Sequence, residues 1–79
     1  MARIRYFAAA AEAAGTASET VDAATLGELR AAVVGAHGEG FARVLSRCAV
    51  LVDGVHTTDP DAPLAASALV DVLPPFAGG

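Results

Sequence analysis

Thr25-Leu26-Gly27-Glu28-Leu29-Arg30-Ala31-Ala32-Val33-Val34-Gly35-Ala36-His37-Gly38 is the one stretch that commits to a secondary structure along its whole length. Thr25 and Glu28 stand at capping-box spacing, in which the threonine side chain accepts the N–H three residues on and the glutamate reaches back. Leu26, Leu29, Val33 and His37 recur every three to four residues, the period of one helical face, with Arg30 off that face. Gly38 supplies the stop. A helix with one apolar stripe has to bury it, and its partners are the segments on either side.

On the N-terminal side, Ala2 to Phe7 alternates: Ile4 and Tyr6 point one way, Arg3, Arg5 and Phe7 the other. That is the pattern of a half-buried strand. Ala8 to Ala14 is alanine throughout except Glu12, which favours a short helix ending at Gly15, with a solvated edge. Thr16 to Ser18 turn the chain into a second short strand, Glu19 to Asp22.

On the C-terminal side, Phe41, Val44 and Leu45 suggest one or two helical turns after a Gly38-Glu39-Gly40 break. Cys48 to Val52 reads as a buried strand, and Asp53-Gly54 before Val55-His56-Thr57 is a hairpin signal. Thr58 to Pro63 is loop, with Leu64 returning to plug the core. Leu69 to Leu73 is the last strand, Val70 and Val72 facing one way and Leu69, Asp71 and Leu73 the other. The order implies an α+β domain, a mixed sheet of four to five strands packed on one main helix. Periodicity leaves the strand order open.

Seventy-nine residues bound this to one domain with a small core. Twenty alanines inflate the apolar fraction, so the core falls to the scattered Leu, Ile, Val, Phe and Tyr. Five arginines against nine acidic residues leave a net charge of −4, with no basic stripe for nucleic acid or an anionic membrane. There is no lysine, so an isopeptide acceptor would have to lie on another protein. One cysteine excludes an internal disulfide and suits a reducing compartment. Arg3, Arg5 and the run from Phe7 to Ala11 imitate a signal peptide, but Glu12 interrupts a run already too short. The expectation is a cytoplasmic protein without a membrane span.

The last six residues, Pro74-Pro75-Phe76-Ala77-Gly78-Gly79, carry no charged or hydrogen-bonding side chain. They offer an α-carboxylate on Gly79, ionised at neutral pH because its pKa is about 3.5. Pro74 and Pro75 favour an extended base, and the glycines can thread where a Cβ would clash. At roughly 3.3 Å per residue the segment reaches about 20 Å. The chain thus divides into a folded domain, 1–73, and a flexible tail, 74–79.

Arg5-Tyr6-Phe7-Ala8, Thr25 to Arg30, Val50 to Gly54 and above all Leu73-Pro74-Pro75-Phe76-Ala77-Gly78-Gly79 resemble the MoaD/ThiS group of ubiquitin-like β-grasp proteins, and within it the small sulfur-carrier subunit of molybdopterin synthase. The resemblance covers the whole chain, and Pro-Pro-x-x-Gly-Gly after an apolar strand is its most specific part. Ala66-Ser67-Ala68-Leu69 departs from the Gly-Asp-Glu type of turn usual there.

The resemblance implies a β-grasp fold and a carrier cycle in which Gly79 is the reacting group and Pro74, Pro75, Phe76, Ala77 and Gly78 thread into partner sites. A ubiquitin-activator-like adenylyltransferase would use ATP to adenylate Gly79, and a sulfurtransferase would convert the adenylate to a thiocarboxylate. The large subunit of molybdopterin synthase, in a heterotetramer, would then take the sulfur for the dithiolene of the molybdenum cofactor. The small subunit would have no catalytic side chains and bind no cofactor or metal. The same end chemistry also serves thiamine and cysteine synthesis, and a ubiquitin-like modifier would use Gly79 to reach lysines elsewhere.

With the first and last strands parallel neighbours, as β-grasp folds arrange them, Phe7 and Leu73 share an outer face with Arg3, Arg5 and Asp71 and become a partner-binding patch beside the tail. Cys48 reads as a buried, inert thiol. His37 and His56 lack neighbours at metal-ligand spacing, and His37 suits a helix C-terminus.

Overall fold

The computed structural model describes residues 1–74. In chain order they form β1 (Ala2–Tyr6), α1 (Ala9–Ala14), β2 (Ser18–Val21), α2 (Leu26–His37), α3 (Glu39–Ser46), β3 (Ala49–Val52), β4 (Val55–His56) and β5 (Leu69–Leu73). The strands make one sheet in the order β2-β1-β5-β3-β4. β1 and β5 run parallel, with Ile4 beside Val70 and Tyr6 beside Val72, and the other pairs are antiparallel.

Alternation decides the layers. Ala2, Ile4 and Tyr6 of β1 and Val70 and Val72 of β5 are buried, and their odd-numbered neighbours face away. Leu26, Leu29 and Val33 of α2 and Phe41 and Leu45 of α3 close over them. Ile4, Leu26, Leu29, Val33, Phe41, Val70 and Val72 lose essentially all contact with water. Each such side chain contributes about 2 kcal/mol on burial. Among the described residues no polar or charged side chain is buried, so the core rests on apolar packing.

The start of α2 is held by its cap and by the loop before β5. The Thr25 hydroxyl oxygen accepts the Glu28 N–H at 3.2 Å, and the Glu28 carboxylate accepts the Ala24 N–H at 3.1 Å. The Leu26 and Gly27 N–H groups, otherwise orphaned in a first turn, donate to Ala62 O at 2.9 Å and Pro60 O at 2.8 Å. Leu64 follows into the core. The Asp53-Gly54 turn has φ of 49° and 85°, the positive pair of a type I′ hairpin. Asp53 also joins that hairpin to β5: its N–H donates to Leu69 O at 2.8 Å, and its carboxylate accepts the Leu69 N–H at 2.9 Å.

Three local expectations are corrected. The break after α2 is Gly38 alone: its φ of 90° turns the chain in one residue, and Glu39 and Gly40 already belong to α3. The helical layer therefore has two substantial helices, because Phe41 and Leu45 need their own route into the core. α1 is more than a solvated edge, since Ala10 is fully buried and Ala11, Ala13 and Ala14 pack against the core. Cys48 sits before β3, in the turn that follows α3. The chain still turns into the departing segment Ala66-Ser67-Ala68-Leu69, the Ala68 N–H donating to Ala65 O at 3.0 Å, and Ala68 is buried.

Candidate functional site

β5 lies between β1 and β3, so the chain leaves the sheet near its middle, at Leu73-Pro74. Two surfaces border that exit. One is the outer sheet face. Register sets Arg3 beside Leu69, Arg5 beside Asp71, Leu51 beside Asp71 and Ala49 beside Leu73. Arg5 grips Asp71 with two hydrogen bonds, Nε to Oδ1 at 2.6 Å and Nη2 to Oδ2 at 2.9 Å. Its guanidinium also lies 5.7 Å from the centre of the Phe7 ring, within range of a cation–π attraction. Phe7 donates its N–H to Val72 O at 3.1 Å and is partly exposed. Leu73, across from Ala49, is half-buried. Directly after Phe7, Ala8 holds a φ of 53°, a region non-glycine residues enter at a cost, and turns the chain into α1.

The second surface is a groove of about 470 Å³ lined by Ala9, Arg43, Val44, Arg47, Cys48 and Pro74. Sequence reasoning missed it, although the i,i+4 spacing of Arg43 and Arg47, at the end of α3 and on its C-cap, was readable. Cys48 lies half-buried here, its thiol donating to Val44 O at 3.1 Å, and burial pushes its pKa up.

On the inner face of the sheet, Glu19 Oε2 accepts the Tyr6 hydroxyl and contacts His37 Nε2, both at 2.6 Å. Burial first, then the hydrogen bond to Glu19 and its charge, push the Tyr6 phenol well above its ordinary range. Burial alone would raise Glu19, but hydrogen bonds with Tyr6 and His37 and the attraction of His37 hold its carboxyl below the usual value. His37 thus closes α2 onto β2. Its ring also meets Phe41 edge-on, centroids 5.1 Å apart. His56 is exposed on β4. No group of three potential metal ligands occurs among the described residues.

Of the expected site residues, the structure brings Phe7, Leu73 and Pro74 to one end of the sheet. Pro75, Phe76, Ala77, Gly78 and Gly79 lie outside the described residues. No helix among the described residues is long and apolar enough to cross a membrane.

The ThiS family profile matches residues 4–79. SAMP1 from Haloferax volcanii superimposes with a TM-score of 0.82 at 31% identity, covering 99% of this chain and 98% of that one. The complex of subunits 1 and 2 of the molybdopterin-converting factor from Helicobacter pylori contains a chain matching at a TM-score of 0.74 and 26% identity, with 99% and 97% coverage. A molybdopterin converting factor subunit 1 from Pyrococcus furiosus shares the fold at a TM-score of 0.83 and 22% identity, over 95% and 97% of the two chains. No curated protein sequence matches the chain. The expected ubiquitin-like β-grasp is therefore the fold observed, and with a profile that spans all but its first three residues the chain belongs to the ThiS family.

Proposed function

We propose that this chain is a sulfur carrier whose Gly79, as the terminal residue of the working form, is adenylated and then converted to a thiocarboxylate. The family match that runs through Gly79, together with a central strand that hands the chain out at Pro74, carries the reading. A carboxylate resists substitution because its oxygen leaves badly. Attack of the Gly79 carboxylate on ATP forms the acyl–phosphate bond and releases pyrophosphate, giving AMP as a good leaving group. The terminal sulfur of an enzyme persulfide then attacks the acyl carbon and AMP departs. A second thiol cleaves the resulting acyl disulfide, leaving the thiocarboxylate. Splitting one hard displacement into easier ones is the logic of covalent intermediates. The catalytic groups belong to the adenylyltransferase and the sulfurtransferase, while this chain positions the reacting end.

The sulfur is destined for the molybdopterin dithiolene, with the large subunit of molybdopterin synthase as acceptor partner. Pro74-Pro75 ahead of Gly78-Gly79, and the neighbour seen in a complex of converting-factor subunits, favour that branch over thiamine or cysteine synthesis. A second reading is a ubiquitin-like modifier joined through Gly79 to lysines of other proteins, favoured by the 31% identity to Haloferax SAMP1. Intact mass after incubation with ATP, an activating enzyme and a sulfide source tests the first. Replacing oxygen by sulfur adds about 16 Da, and a chain lacking Gly79 gains nothing. An unchanged mass, with a ladder of conjugates in extract, supports the modifier instead.

A further inference from the structure

We infer that the groove beside Pro74 docks a carboxylate-rich segment on the rim of the enzyme that admits the tail, with Arg43 and Arg47 as its contacts. This rests on the carrier reading. Any enzyme acting on Gly79 must take in the five residues after Pro74, at most about 17 Å of extended chain. Its surface therefore comes down on whatever borders Pro74. On one side that border is the outer sheet face; on the other it is this groove, walled by α1 and α3.

Arg43, in the last turn of α3, and Arg47, which caps that helix, are four residues apart, and both are exposed. The ion pairs among the described residues are Arg5–Asp71 and His37–Glu19, so neither arginine is matched there, even with Glu39 one turn before Arg43. The chain carries a net charge of −4, and its overall field repels an acidic partner. Two guanidiniums at the tail base, without an ion-pair partner among the described residues, reverse that locally. The guanidinium fork pairs with carboxylates in two parallel hydrogen bonds. Ala9, Val44 and Pro74 supply apolar walls that reduce screening of such a pair. Cys48, protonated at neutral pH, adds no charge to cancel it.

The test compares the wild-type chain, Arg43→Glu/Arg47→Glu, the neutral Arg43→Gln/Arg47→Gln and, outside the groove, Arg30→Glu as substrates of a purified activating enzyme at low salt. The charge reversal raises KM for the carrier about tenfold while kcat holds, the neutral pair gives a smaller rise, and added salt narrows the gap. Arg30→Glu and all melting temperatures stay near wild type. An unmoved KM in a folded reversal variant overturns the groove assignment and leaves the carrier reading standing. A shift confined to the KM for ATP also overturns it, assigning the groove to a nucleotide. If the wild-type chain accepts no AMP at all, the carrier reading falls and this inference with it.

Discussion

Gly27 lies so close to Pro60 that a Cβ built on it would sit 3.0 Å from the Pro60 carbonyl oxygen and 3.2 Å from its Cβ. The glycine is therefore a packing requirement in the first turn of α2, where its N–H also donates to that oxygen at 2.8 Å. Gly27→Ala gains up to about 1 kcal/mol of helix propensity but crowds a backbone atom, at about 1–3 kcal/mol. The expected net loss is about 1 kcal/mol, a drop of roughly 4–8 °C in melting temperature. A variant that melts at or above wild type shows that the 58–63 loop yields.

Phe41 shows that α3 belongs to the core. It is 1% exposed and meets Tyr6 edge-on, with centroids 5.5 Å apart. Phe41→Ala should cost about 3–5 kcal/mol, a large share of the stability of so small a domain. Urea unfolding reads this out; a loss below about 1 kcal/mol would mean that α3 is an ornament on the sheet.

Glu19 makes stability depend on acidity. Its folded pKa lies below its unfolded value, so its contribution is complete above the unfolded value of about 4.3 and is lost as pH falls through the folded one. In that window the unfolded chain binds more protons, so stability rises with pH. Urea midpoints between about pH 2 and 6 should therefore fall less steeply on acidification in Glu19→Gln than in wild type. Parallel curves would rule out Glu19 as the source.

The outer face should bind without holding the fold. Phe7 is 38% exposed and stacks under the Arg5 guanidinium, outside the buried core cluster. Phe7→Ala is expected to melt near wild type yet lose about tenfold in affinity for the activating enzyme, as truncation of an interface anchor does. Leu73→Ala should lose a similar factor with a modest drop in melting temperature. Calorimetric titration decides, and unchanged affinity in both variants would remove the patch from the interface.

Cys48 is expected to be dispensable for sulfur loading. Its thiol is half-buried, bonded to Val44 O and pushed up in pKa, the reverse of a reactive thiolate. Cys48→Ala should gain the same mass of about 16 Da as wild type. Loss of that gain in a folded variant would place the thiol in the transfer path.

Local patterns made α2, the Asp53-Gly54 hairpin, β5 and the inward residues of β1 readable from the sequence, because capping, positive φ and strand alternation are properties of neighbours along the chain. The tail motif was equally legible as a motif, since Gly78-Gly79 and the two prolines need no fold to be recognised. The position of β5 between β1 and β3, the Arg5–Asp71 grip across 66 residues, the near-contact of Gly27 with Pro60 and the groove joining Ala9, Arg43 and Pro74 came only with tertiary structure. Each depends on which distant segments pack together, and that is decided by burying the apolar faces of the helices against one sheet.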